Sequence, residues 1–222
     1  MFPENFAVLV VGDPSAGMFE FCCYLAATHL NADERLVFVE SNAPADNVRN
    51  QLMYFGIDAV DFEDRNMLAI VDCHASPSAA DVDEKAIRVT DLANLEEVIE
   101  RIEEGIVKVG GQPVNVLFDS VTPLYMKHDS SDVGKFFSAL SSMVKVSGKM
   151  TTTVHQGIVP DEQISLLSTL ADGVLEMMVD DSFHRYVRIK HFKGLKVVPR
   201  WVPFDFEREE DDGSAVLSWR MR

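Results

Sequence analysis

The sequence is short of positive charge. Lys and Arg number 20 against 36 Asp and Glu, a formal net charge of −16 over 222 residues. A surface of that sign repels phosphate backbones, and Lys and Arg occur only singly or in scattered pairs, so nucleic acid is not an expected partner. Cysteine is scarce too: there are three, with Cys22 and Cys23 adjacent in an apolar run, which rules out a disulfide framework and fits a reducing compartment. No apolar run reaches the roughly 18 residues of a membrane-spanning helix, and no signal-peptide pattern is present, so the expected location is cytoplasmic without membrane insertion. Cys73 and His74 lack metal-ligand spacing, and Ser120 lacks a G-x-S-x-G setting. No repeat, low-complexity tract or long linker divides residues 1–222, which read as one domain.

What is present is an alternation of short apolar runs and helical periodicity. "FAVLVVG" ends at Gly12 and precedes a helix over Met18–Leu30; "RLVFVE" precedes a helical "ADNVRNQLMYFG"; "NMLAIVD" reads as a third buried strand. Leu92, Leu95, Val98, Ile99, Ile102 and Ile106 share one helical face, with Thr90 or Asp91 as the expected cap and Gly110-Gly111 as the stop. "VNVLFD", a helix ending at Gly148, "KMTTTV" and a short helix from Pro160 to about Ala171 complete a strand-helix pattern that predicts a mainly parallel sheet flanked by helices. From Gly173 onward "GVLEMMV", "RYVRIKHF", "RWVPFDFE" and "AVLSWRM" are separated by turn residues, which predicts antiparallel strands extending the sheet. The fold class is α/β, with function expected at the carboxyl ends of the parallel strands.

Gly12-Asp13-Pro14-Ser15-Ala16-Gly17 has the length and terminal glycines of a phosphate-binding loop opening a helix. Such a loop curls backbone N–H groups around phosphates, a following lysine adds a point charge, and a hydroxyl holds magnesium. Here Met18 and Phe19 stand in those two positions, and Asp13 adds a negative charge. The competing reading makes Met18, Phe19, Cys22 and Cys23 the buried face of a first helix. Asp119, ending an apolar strand in "VLFDSVTPLY", is a candidate for magnesium. His155 is either part of a residual ligand site or a capped strand end. The acidic stretch Glu207–Gly213 reads as a solvated turn, and "VPRWVPF" as an edge strand guarded by Pro199 and Pro203 or a surface for a neighbouring subunit.

"FDSVTPLY", "VFVESNAPADNVRNQLMYFGID", "TTTVHQGIVPDEQISLLSTLADGVLEM" and "RYVRIKHFKG…PFDFE…DDG", in that order, resemble the RecA-superfamily ATPases of the KaiC type, and are most similar to the archaellum accessory ATPase FlaH. The resemblance implies a RecA-like P-loop NTPase fold, ATP and magnesium as cofactors, and assembly between like subunits, in an archaeal source. It makes Glu40 the candidate catalytic glutamate and Asp119 the magnesium residue. Gly12 to Phe19 and His155 become nucleotide contacts, and His191 and Lys193 the residues reaching a neighbouring subunit's phosphate. The family's Lys-x-Arg pair is replaced at those last two positions, and its Gly-rich approach has no counterpart before Gly12. The first expectation is therefore a degenerate, non-hydrolysing regulatory or assembly protein that contacts like subunits or a partner ATPase. The alternative is a weak ATP-binding or ATP-hydrolysing signalling or motility ATPase, using Asp119, Glu40 and Lys193 in place of the loop lysine.

Overall fold

The computed structural model describes residues 5–74, 85–110, 113–208 and 215–219. Continuous apolar runs become β1 (Ala7–Gly12), β2 (Arg35–Glu40), β3 (Leu68–Asp72), β5 (Val114–Asp119) and β6 (Gly148–His155), as strands covered on both faces require. Between them lie α1 (Met18–Asn31), α2 (Ala45–Tyr54), α3 (Ala59–Asp64), α4 (Leu95–Val109) and α5 (Ser130–Ser147), with the two-residue β4 (Ile87–Arg88) at one margin. After α6 (Asp161–Leu170) come β7 (Gly173–Val179), β8 (Arg185–Phe192), β9 (Val202–Arg208) and β10 (Ala215–Trp219). One sheet holds them in the order β10-β9-β8-β7-β1-β6-β5-β2-β3-β4.

Alternation along β2 shows how both faces are filled. Val37 and Val39 join the cluster containing Val98 and Ile102 of α4, whereas Leu36 and Phe38 join that containing Cys22 and Ala26 of α1 and Leu52 of α2. Three expectations are corrected. β7 is parallel to β1, so the antiparallel extension begins at β8 rather than at Gly173. α4 starts later than Thr90 or Asp91 suggest, because Asn94 caps it by accepting from the Glu97 N–H at 3.2 Å while Thr90 donates to the Glu97 carboxylate. Its expected stop extends to Gly111, which lies outside the described residues. Finally, β9 is not an edge: it pairs with β8 at Val202–Phe204 and with β10 beyond, which leaves Pro203 at its start. Most of the acidic turn, residues 209–213, lies outside the described residues.

Candidate functional site

The parallel register gathers the ends of four strands on one edge. Gly12 stands beside His155 and Glu40 beside Asp119, so the loop, both carboxylates and the histidine converge where a doubly wound sheet places its ligands. The loop keeps its turn: Ala16 N–H donates to Asp13 C=O at 2.9 Å, and Gly17, at φ +81°, delivers the chain into α1, where Phe21 N–H donates to Gly17 C=O at 2.9 Å. A side chain at Gly17 would be strained in that left-handed conformation.

Met18 turns inward rather than out of the loop. It is 2% exposed, in the apolar cluster of Phe21, Leu175, Met177 and Val187, and its sulfur lies 2.8 Å from where a Cβ on Gly12 would stand. The helix-face reading therefore describes Met18, and Cys22 and Cys23 are likewise buried. Phe19 is partly buried against the core between α1 and α2.

A cavity of about 330 Å³ opens at these strand ends, bordered by Met18, Phe19, Glu20, Glu40, Asp119 and His155, and no Lys or Arg is among its described lining residues. Glu40 is fully buried; its Oε1 accepts from the N–H groups of Asn42 at 2.7 Å and Ala43 at 3.1 Å, while Oε2 has no hydrogen-bond partner among the described residues. Burial, then the charge of Asp119, pushes the Glu40 carboxyl up to about 9. Burial also raises Asp119, against the opposing hydrogen bond donated by Thr153 Oγ1. The charge of Asp119 beside it thus makes Glu40 the carboxyl that holds its proton more tightly. Among the described residues no three His, Cys, Asp or Glu side chains are grouped to hold a metal ion.

The flanking positions brace this arrangement. Ser41 Oγ donates to Ser120 C=O at 2.6 Å and accepts from Ser120 N–H at 3.0 Å, tying the end of β2 to the end of β5. Thr122 Oγ1 accepts from His155 N–H at 2.9 Å and lies 3.0 Å from His155 Nδ1. Burial lowers the His155 pKa and so favours the neutral ring, whose tautomer decides which of Nδ1 and the Thr122 hydroxyl is the donor. Thr122→Val should cost about 1–3 kcal/mol in urea unfolding, because a backbone N–H loses its acceptor inside the fold. A change near zero would show that water replaces the hydroxyl.

Two residues singled out from the sequence sit elsewhere. Since β8 runs antiparallel to β7, His191 and Lys193 lie at the opposite edge, where Lys193 Nζ is 3.2 Å from Asp172 Oδ1. Asp172 also binds Lys145 at 2.6 Å and the N–H of Ala7, at the start of β1. The span of β1, about 3.3 Å per residue, separates this knot from Gly12, so Lys193 does not replace a loop lysine within its own chain. The same antiparallel pairing brings Arg185 to the loop instead. Its Nε lies 3.1 Å from a Cβ built on Gly17, and its Nη1 is 3.3 Å from Asp205. The Asp180-Asp181 turn was the signal that could have located it: a hairpin there returns the first residues of "RYVRIKHF" to the loop edge.

No described helix is long and apolar enough to cross a membrane. The fold has a close counterpart in a KaiC-like protein from the hyperthermophilic archaeon Pyrococcus horikoshii, with a TM-score of 0.71 at 18% identity over 98% of this chain and 91% of that one. In sequence, a UPF0273 protein of Aeropyrum pernix is 26% identical over 208 residues, covering 91% of this chain and 83% of the relative. A UPF0273 protein of Pyrococcus horikoshii is 28% identical over 124 residues, and that match spans 56% of this chain and 49% of the relative's length. Residues 1–210 match the family described as "ATPase: KaiC", and the chain belongs to that KaiC-type ATPase family.

Proposed function

We propose that this chain is a non-hydrolysing KaiC-type domain, FlaH-like and archaeal, that works as a regulatory or assembly protein by contacting like subunits or a partner ATPase. The observation that carries the reading is Met18, buried beneath the loop where the family's lysine would reach a phosphate. Losing one charge-assisted hydrogen bond of about 1.5–3 kcal/mol weakens binding by about one to two powers of ten. Glu20 and Asp119 then face a triphosphate with like charge at the cavity, and Glu40, which keeps its proton at neutral pH, supplies no cation in exchange. Phe19 has no hydroxyl for magnesium. These residues do not fit a magnesium-triphosphate complex.

Phosphate release from ATP with magnesium should stay at the background rate, and Asp119→Ala should leave that background unchanged. Turnover abolished by Asp119→Ala would defeat the proposal. The alternative of weak ATP binding is favoured by one observation, Arg185 beside Gly17, which could supply a cation from β8.

A further inference from the structure

A second cavity lies away from the strand ends. It encloses about 430 Å³, within the range of about 300–1,000 Å³ typical of small-molecule sites. Phe21, Tyr24 and Leu25 of α1 form one wall, Leu175, Val187 and Val202 the strand wall, and the connection from β8 to β9 contributes Val197 and Val198. A space larger than one side chain, lined almost wholly by apolar groups, favours an apolar body.

Two arginines also border it, and their situations differ. The Arg188 guanidinium is already engaged, 2.5 Å from Glu176 and stacked 4.4 Å over the Trp201 ring. Arg200 is exposed and has no ion pair among the described residues. Residues 185–200, "RYVRIKHFKGLKVVPR", hold six Lys or Arg and no Asp or Glu, in a chain of net charge −16. An apolar cavity with one uncommitted cation at its border is complementary to an apolar molecule ending in a single anion.

We propose that this cavity binds a small apolar carboxylate, with the apolar body among Phe21, Leu25, Val187 and Val197 and the carboxylate on Arg200. The inference does not depend on whether nucleotide binds at the strand ends. Decanoate and decanol serve as probes of equal chain length in calorimetric titrations of the whole chain. Decanoate should bind about tenfold or more tightly than decanol, and Arg200→Glu should remove that preference while leaving decanol binding unchanged. Leu25→Trp, which fills the cavity from α1, should weaken both. Equal affinity for the two probes, decanoate binding indifferent to Arg200→Glu, or binding of neither would overturn the assignment. So would light scattering that shows a dimer broken by Arg200→Glu, since a second copy would then occupy the cavity.

Discussion

Met18→Ala should destabilise the protein by about 2–4 kcal/mol, the cost of emptying a buried methionine site. For a chain of this length that is a fall in Tm of about 4–16 °C. The argument turns on where the side chain goes. A loop lysine extends toward a ligand and its truncation removes no core packing, whereas Met18 is 2% exposed and contacts the space above Gly12 within the Phe21, Leu175, Met177 and Val187 cluster. Thermal unfolding with and without ATP reads the difference. A change below about 0.5 kcal/mol would place Met18 among ordinary surface positions and remove the reason for treating it as part of the core.

Glu40→Gln should stabilise the protein in alkaline solution and do little in acid. A carboxyl whose folded pKa lies above its unfolded value holds its proton more tightly when folded. Its contribution is therefore whole below the ordinary value of 4.5 and is lost as pH rises through about 9. A tenfold difference in proton affinity is worth about 1.4 kcal/mol, and Glu40 is buried, so the loss across that window should exceed about 2 kcal/mol. Glutamine keeps an acceptor for the N–H groups of Asn42 and Ala43 but carries no charge to repel Asp119. Half-buried His155 and buried His29, lowered by desolvation, act with the opposite sign near neutrality. Because both chains contain them, they cancel when variant and wild type are compared. Asp172 and Glu176, depressed despite their burial by bonds to lysine and arginine, titrate below this window. Urea unfolding at pH 5, 7 and 9 checks the sign: parallel wild-type and Glu40→Gln profiles would contradict proton retention by Glu40.

Much of this arrangement could be read from the chain, for identifiable reasons. Strands buried on both faces are continuous apolar runs, and Gly12, Glu40, Asp119 and His155 stand at their ends, so a parallel sheet alone brings them to one edge. The direction of β7 could not be read, because a buried run such as "GVLEMMV" has the same composition in parallel and antiparallel pairing. The start of α4 was obscured by three competing caps within five residues, and only the hydrogen bond of Asn94 separates them from Thr90 and Asp91. Arg185 rather than Lys193 stands beside the chain's own loop for a geometric reason. Their distances from the loop depend on which end of β8 meets which end of β7, a through-space fact that residue spacing does not carry. The inward turn of Met18 was also open, since a methionine after Gly17 suits either a vacant phosphate site or a helix face.

The most direct measurement is a calorimetric titration of the whole chain with ATP and magnesium, repeated on Asp119→Ala. No saturable heat is expected up to millimolar nucleotide in either protein, because the cavity offers Glu20, Glu40 and Asp119 but no Lys or Arg among its described lining residues. Micromolar binding that disappears in Asp119→Ala would contradict this, and would mean that the loop still cradles phosphate with a cation from another element, Arg185 first among them.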